Sequence, residues 1–250
     1  EIPTDDETIH GATNSLYNNS TEFYRAQSGY PIGFFWGYQT DGLFQSLAEV
    51  QSYINNGRVV QPNARPGDVR YIDQNGDGII NDLDKVMVGD PNPDFIYGFS
   101  FACNYKAFDF YLNANGVAGN QIVQSYRNHV DRYANYTTEI LERWTGPGTS
   151  TRIPRVTNEN RNYQFSDLFV QDGDYLRISN VTLGFDVAKV VNMELFSRFR
   201  VYASVQNLYT FTKYNGMDPE VGYGFDRGAT DKFSSGIDLG FYPRPRTVLF

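Results

Sequence analysis

A twelve-residue run from Asp73 to Asp84 has the composition and spacing of a loop that binds a hard divalent cation. It reads DQNGDGIINDLD, so oxygen donors fall at positions 1, 3, 5, 7, 9 and 12 of an EF-hand type loop. Short oxygen side chains at alternate positions can wrap an ion, and a final carboxylate closes the shell. The predicted metal ligands are Asp73, Asn75, Asp77, the carbonyl of Ile79 and Asp84, with Asn81 at position 9. We expect Ca²⁺ here, with Mg²⁺ possible.

Neighbouring residues complete the pattern of the loop, and the lack of strong flanking helices favours a structural ion over one that switches a conformation. Gly78 permits the sharp turn at position 6, and Ile80 at position 8 can anchor the loop on its apolar side. Asp in place of Glu at position 12 resembles the calcium loops of dockerins, and no strong helices flank the run. The alternative is a turn without metal, because Asp, Asn and Gly also favour plain turns.

Motifs that would make the chain an enzyme are absent or isolated. The two histidines, His10 and His129, lie far apart, and no GxSxG, HExxH or P-loop spacing occurs. Asp172 and Asp174 could form the carboxylate pair of a glycoside hydrolase, but their position before a strand favours a solvated turn. The sequence therefore predicts no catalytic residue, no organic cofactor site and no enzyme activity.

Composition excludes other classes of protein. The 250 residues carry 21 Lys and Arg against 29 Asp and Glu, with a sequence pI near 4.8, so a nucleic-acid partner is not expected. Aromatic residues make up 16% of the chain. No stretch approaches the roughly 18 apolar residues of a membrane helix, but strands that cross a bilayer hide their hydrophobicity in alternation. The single Cys103 cannot form an internal disulfide.

The most regular segment is residues 95–105, in which large aromatic residues alternate with small or polar ones. Side chains of a strand alternate between its two faces, so this pattern predicts a strand with one aromatic face. The alternation resumes at residue 108, and the two runs predict a hairpin with a short turn at 105–108.

Two more long strands are predicted at 174–187 and 199–211, and a fifth begins at 247–250. The third predicted strand is irregular because Leu176 and Ile178 stand at positions where the alternation calls for polar residues. In the fourth, Asn207 and Leu208 interrupt the alternation. The long strands span about 11 to 14 residues, above the usual 5 or 6 and close to what a tilted strand needs to cross a bilayer.

Long segments separate these strands, namely 29–93, 117–173 and 212–246. Short turns that alternate with long loops are typical of outer-membrane barrels, and a soluble β-sandwich with large loops, stabilised by calcium and binding glycans, is the alternative. Short helices are predicted within the loops at 46–55 and 133–144.

Eight segments, in this order, resemble the C-terminal part of SusC/RagA-type TonB-linked outer-membrane transporters of Bacteroidetes. They are 29–44 (GYPIGFFWGYQTDGLF), 67–73 (GDVRYID), 89–99 (GDPNPDFIYGF), 144–148 (WTGPG), 175–184 (YLRISNVTLG), 205–209 (VQNLY), 216–220 (GMDPE) and 242–247 (YPRPRT).

This resemblance implies an all-β fold, with antiparallel strands that form the C-terminal part of a 22-stranded transmembrane β-barrel with long extracellular loops. It implies that residues 1–250 are a fragment without the plug and earlier strands, because four or five strands cannot close a barrel. The implied location is the outer membrane of a Gram-negative bacterium. The implied partners are a SusD-like lipoprotein that acts as a lid, TonB acting through the absent N-terminal part, the lipid bilayer, and an oligosaccharide or peptide substrate.

Overall fold

The structure, a computed structural model, describes residues 9–10, 24–124, 137–191, 198–221, 235–238 and 240–250. These residues fall into two compact units. The loop unit draws on Glu1–Asn92, Ile122–Gln171 and Gly222–Leu239, and the strand unit on Pro93–Gln121, Asp172–Val221 and Gly240–Phe250. Nearly all strand pairs are antiparallel, which confirms the predicted all-β class. In the described part of the chain, no helix has the length and apolar character needed to cross a membrane.

The β-strands, numbered in chain order, are β1 Ile9–His10, β2 Tyr24–Ala26, β3 Phe34–Tyr38, β4 Thr40–Leu43, β5 Ile54–Asn55, β6 Arg58–Val59, β7 Val69–Tyr71, β8 Lys85–Gly89, β9 Phe95–Tyr105, β10 Phe108–Ala118, β11 Gln121–Gln124, β12 Val170–Asp172, β13 Tyr175–Asp186, β14 Arg200–Thr212, β15 Ile237–Asp238 and β16 Thr247–Leu249. The α-helix is α1 Leu47–Ser52. The 3₁₀ turns are Asp82–Asp84, Thr138–Glu142, Asn160–Asn162, Asp167–Phe169 and Val187–Lys189.

The strand unit is built on one antiparallel sheet in the order β16-β14-β13-β10-β9. Strands β9, β10, β13 and β14 have 11, 11, 12 and 13 residues. A tight turn joins β9 to β10, with Lys106 at φ 54°. These elements confirm the predicted hairpin and long strands. Strand β9 forms one edge of the sheet, and all eleven of its residues are exposed.

A β-bulge explains the two irregular places in the predicted strands. Ser179 of β13 lies between Ile178 and Asn180, which pair with consecutive residues of β10, so Ser179 has no partner of its own there. On the other side, β14 places two residues opposite Ser179, namely Asn207, with φ 53°, and Leu208. An extra residue in one strand reverses the alternation of side chains beyond it.

The reversal sorts the side chains of β13 by polarity. Leu176 and Ile178, which have the wrong parity in the sequence, join the apolar side of the sheet, and Arg177 joins the polar side. The register defines an apolar face made of Phe95, Tyr97, Phe99, Phe101, Cys103, Tyr105, Phe108, Phe110, Leu112, Ala114, Leu176, Ile178, Val181, Leu183, Phe185, Val201, Ala203, Val205, Tyr209, Phe211 and Val248. The bulge therefore keeps one face of the sheet apolar along its whole length.

The opposite face of the sheet is mostly polar. It carries Ser100, Asn104, Asp109, Asn113, Asn115, Arg177, Asn180, Thr182, Arg200, Ser204, Gln206, Thr210 and Thr247. These side chains bond to one another across strands: Arg200 donates to both oxygens of Asp109 at 2.8 and 2.5 Å, and Thr182 and Ser204 hydroxyls lie 2.7 Å apart. The polar side chains of this face thus satisfy much of one another's hydrogen bonding.

The loop unit contains more regular structure than the sequence predicts. Its sheets have the orders β1-β2-β3-β8, β4-β7, β5-β6 and β12-β11-β15. These strands have two to five residues, too few for alternation to stand out in the sequence. Buried clusters hold them together, one around Phe35 and Phe165, one around Tyr38 and Val69, and one around Phe44.

Of the two predicted helices, the structure contains the first in shortened form. Helix α1 covers 47–52 of the predicted 46–55, and Ser46 caps it by accepting a hydrogen bond from the Glu49 N–H at 3.2 Å. Of the predicted helix at 133–144, residues 133–136 lie outside the described residues. The described remainder forms the 3₁₀ turn Thr138–Glu142 instead.

Candidate functional site

Two short sheets fix the ends of the predicted ion loop, residues 73–84. Strand β7, which precedes the loop, pairs with β4, and β8, which follows it, pairs with β3. Within the loop, Ile80 packs against the buried cluster of Tyr38, Leu43, Val69 and Tyr71. This is the anchoring role that the sequence predicts for position 8.

Asp73, at position 1, is almost buried and accepts several hydrogen bonds. Its oxygens lie 2.8 Å from the N–H groups of Gly76 and Gly78 and 2.9 Å from Nδ2 of Asn55. Burial opposes the charged form of Asp73, but the hydrogen bonds from Asn55, Gly78 and Gly76 outweigh it and hold the pKa of this carboxyl below its ordinary value. The group is therefore ionised at neutral pH, as a cation ligand requires.

Positions 3, 5 and 7 form consecutive turns held by side chains. Oδ1 of Asn75 accepts from the Asp77 N–H at 2.9 Å, and Oδ1 of Asp77 accepts from the Ile79 N–H at 2.8 Å. The second oxygen of Asp77 accepts from Nδ2 of Asn75 at 3.0 Å. These hydrogen bonds thus fix the orientation of the Asn75 and Asp77 side chains.

Positions 9 and 12 close the loop by a capping box on the 3₁₀ turn Asp82–Asp84. Asn81 accepts from the Leu83 N–H at 2.8 Å, and Oδ2 of Asp84 accepts from the Asn81 N–H at 2.8 Å. The other Asp84 oxygen reaches back to the Gln74 N–H at 2.9 Å. Asp84 is fully buried, so its carboxylate joins the end of the loop to its beginning.

Gly78 takes the left-handed conformation that the sharp turn requires, with φ +85°. A Cβ at this position would lie 2.6 Å from the carbonyl oxygen of Asn55 in the β5–β6 hairpin. Gly78 therefore serves both the turn and the close approach of the loop to its neighbour.

The oxygen chemistry of the loop fits a hard cation, and three of its five predicted ligands carry the charge. Among the residues that the structure describes, no three His, Cys, Asp or Glu side chains stand together as a metal-binding group. The three carboxylates of the predicted set, those of Asp73, Asp77 and Asp84, therefore do not converge as such a group in the described structure. The ion and its ligands stay a prediction.

Asp82, at position 10, has a different role from the predicted ligands. The Lys85 ammonium lies 2.8 Å from Asp82 Oδ1 and holds the pKa of this carboxyl below its ordinary value. Burial raises the pKa of Tyr38 to about 12, and the carboxylates of Asp82 and Asp84 contribute to this shift. The ion pair with Lys85 makes Asp82 a useful control position within the loop.

Asp68 is a buried structural centre of the loop unit that the sequence does not reveal. Its buried carboxylate accepts from Nε of Arg155 at 2.6 Å, Nδ2 of Asn162 at 3.0 Å and the Arg65 N–H at 2.8 Å. Oδ1 of Asn162 in turn accepts from the Val69 N–H at 3.0 Å. Asp68 thus ties the segment before the ion loop to residues nearly a hundred positions later.

Gly67 and Trp144 bring two of the recognised sequence segments into contact. The indole Nε1 of Trp144 donates to Oε1 of Gln45 at 3.1 Å, and its ring lies where a Cβ on Gly67 would stand. Gly67 also has φ +87°. The segments GDVRYID and WTGPG therefore depend on each other, a connection that only the folded chain reveals.

Comparison with known proteins identifies relatives of one kind. No protein-family model matches the chain. TonB-dependent receptor P3 of Formosa agariphila is 31% identical over 97% of this chain and 24% of the relative. TonB-dependent receptor SusC of Bacteroides thetaiotaomicron is 27% identical over 92% of this chain and 20% of its own. The chain thus spans about a quarter of the length of the curated relatives it matches.

Solved structures of the same kind share the fold. The RagAB peptide importer in its open-open state superposes with a TM-score of 0.65 over 98% of this chain and 24% of that chain, at 16% identity. Its closed-closed state gives 0.61 over 89% of this chain and 23% of that chain, at 18% identity. The relatives are named as receptors, in agreement with the prediction that the chain is not an enzyme. The chain is SusC/RagA-like and is similar to the C-terminal part of TonB-dependent receptors, as the order of its sequence segments predicts.

Proposed function

We propose that the chain forms part of an outer-membrane TonB-dependent transporter that imports oligosaccharides or peptides together with a SusD-like surface lipoprotein. The names of the relatives support this proposal, since they are TonB-dependent receptors, one of them SusC, and RagAB is a peptide importer. TonB-dependent receptors are outer-membrane proteins of Gram-negative bacteria. In the whole protein the strand unit would join other strands to complete a barrel of the 22-stranded class.

The observation that carries this proposal is the contrast between the two faces of the strand unit. Large side chains of the apolar face are open to the surroundings, for example Phe99 at 57%, Leu183 at 52% and Val201 at 53% exposure. The opposite face is polar and internally hydrogen-bonded. A sheet of strands this long with one apolar and one polar face suits a wall between lipid and a water-filled lumen.

The same observation argues against a soluble β-sandwich. In a sandwich the apolar faces of two sheets pack together and exclude water. Here the apolar face has no such cover among the described residues. An uncovered apolar surface of this extent is found on proteins that meet a membrane or a partner.

Adjacent residues of β9 provide a test of the lipid-facing surface. With Cys103 and any other cysteine of the full-length receptor changed to Ser, we expect a bimane label at Phe99→Cys to be quenched severalfold more by brominated lipid than a label at Ser100→Cys. The two positions are neighbours on opposite faces, so only orientation distinguishes them. Equal quenching at both, or stronger quenching at position 100, would contradict the assignment of the faces.

Uptake by cells tests the transport function itself. A strain without the full-length receptor is expected to take up a labelled mixture of oligosaccharides or a labelled peptide library at a severalfold lower rate than its parent. The same loss is expected when the proton-motive force is dissipated or when the SusD-like lipoprotein is deleted. Uptake of both probes at the parental rate would overturn the proposed function, and the class of probe that is affected would identify the substrate class.

We also propose that the loop 73–84 binds Ca²⁺, and that the ion orders the loop unit for contact with the lipoprotein or substrate. Three carboxylates in one short loop repel one another, and a divalent cation would offset that charge. Ordering the loop before the partner arrives reduces the conformational entropy lost on binding. The nearly buried Asp73 and the fully buried Asp84 support a structural role for this loop.

A further inference from the structure

Three of the recognised sequence segments are joined by ion pairs in the strand unit, although they lie far apart in the chain. Arg177 belongs to YLRISNVTLG, Asp218 and Glu220 belong to GMDPE, and Arg244 belongs to YPRPRT. In the strand unit these four residues form one continuous ion-pair network. We call it the Arg177 network.

Arg177 is buried, and each of its nitrogens has an acceptor. Nη2 donates to Asp218 at 2.5 Å, Nη1 donates to Glu220 at 2.9 Å, and Nε donates to the Thr210 hydroxyl at 3.0 Å. The side chain reaches these partners because the bulge at Ser179 places it on the polar face. A buried guanidinium with charged partners on both arms holds them in one geometry.

The network extends to the segment that leads into β16. Oδ2 of Asp218 accepts from the Arg244 N–H at 3.3 Å, and Oε1 of Glu220 accepts from Nη2 of Arg244 at 2.5 Å. One residue further on, the carbonyl of Pro245 accepts from Nδ2 of Asn207 at 3.0 Å. Two consecutive residues are therefore fixed just before β16 begins.

Among the described residues, the contacts of β16 itself are few. Three of its residues pair with β14, with Thr247 opposite Gln206 and Val248 opposite Val205. Its sequence continues as Val248, Leu249 and Phe250, which are apolar on both parities. Alternation therefore does not specify which side chains belong on the apolar face, so the sequence of β16 does not by itself exclude a slip of one residue.

We propose that the Arg177 network, together with Asn207, is a register anchor that sets where β16 pairs with β14. The anchor fixes the chain at residues 244 and 245, and the pairing of Thr247 with Gln206 follows from that position. This role is independent of the substrate and of the transport function. Arg177 acts here through Asp218, Glu220 and Arg244, so it is a positioning residue.

Disulfide trapping in the full-length receptor tests the anchor. In a background in which Cys103 and any other cysteine of the full-length receptor are changed to Ser, Gln206→Cys with Thr247→Cys reports the native register, and Val205→Cys with Thr247→Cys reports a slip of one residue. Directly opposed residues in antiparallel strands lie close enough for a disulfide. We expect Arg177→Met to lower the native cross-link severalfold and to raise the slipped one.

Arg200→Met is the matched control, because Arg200 also pairs with an acid on the polar face but contacts neither Asp218 nor Arg244. It should leave the native cross-link unchanged. If Arg177→Met does not accumulate in the membrane, Asn207→Gly with Arg244→Ala removes two anchors while keeping Arg177 and the left-handed backbone at 207. A native cross-link as efficient as in the parent, in whichever of these variants accumulates, would overturn the proposal.

Discussion

Asp68→Ala is expected to lower the free energy of opening of the loop unit by about 3–5 kcal/mol, the range observed when one partner of a buried ion pair is removed. The carboxylate is fully enclosed, and its loss would leave the guanidinium of Arg155 and the amide of Asn162 without their acceptor. Hydrogen exchange of the full-length receptor, read out on peptides that contain Val69 and Asn162, measures this opening.

Asp41→Ala supplies the comparison, because Asp41 also pairs with an arginine in the loop unit, namely Arg70. The Asp41 side chain is 64% exposed, and exposed ion pairs contribute about 0–1 kcal/mol. We expect little change in exchange for this variant. Similar effects from the two substitutions would show that burial of Asp68 does not determine its contribution to the free energy of opening of the loop unit.

Asp73→Asn combined with Asp77→Asn is expected to abolish calcium binding by the full-length receptor, measured by isothermal titration in detergent. The double variant removes two of the three carboxylates that would offset the charge of the ion while keeping side chains of the same shape. Asp82→Asn, in the same loop, should bind calcium as the parent does, because position 10 is not a predicted ligand. Calcium binding that survives in the double variant would contradict the predicted ligand set.

The proposed ordering role makes a second claim about the same variant. Its affinity for the SusD-like lipoprotein should fall by about tenfold or more, because ordering even one residue costs about 1.4 kcal/mol, which is a factor of ten. Chelation of calcium from the parent should produce the same loss. If the variant loses calcium but keeps its affinity for the lipoprotein, the assignment of the calcium ligands stands. The proposed role of the ion in partner binding is then excluded.

Much of the strand unit can be predicted from the sequence because its strands are long. Eleven to thirteen residues give enough repeats of the period-2 pattern to locate β9, β10, β13 and β14 within three residues at either end. In the sequence, the bulge at Ser179 is visible only as two places where the alternation of apolar and polar residues is interrupted. Its cause, an unpaired residue opposite Asn207 and Leu208, depends on strand pairing and needs the structure.

The loop unit is less predictable, for two physical reasons. Its strands are too short to show a period, so the sheets at 24–89 look like loops in the sequence. Its central polar contact joins Asp68 to Arg155 and Asn162, and a single aspartate carries no local signal for partners so far along the chain. The ion loop can be predicted from the sequence because all its predicted ligands lie within twelve residues.

The outer edge of β9 bears on how a sheet of this kind could enter a membrane. This edge carries the N–H and C=O groups that no strand in the described sheet pairs, and each such group costs several kcal/mol in hydrocarbon. Over eleven residues the total exceeds the whole stability of an ordinary domain, about 5–15 kcal/mol. If the sheet lies in lipid as we propose, insertion and pairing of this edge must therefore be a single event in the biogenesis of the receptor.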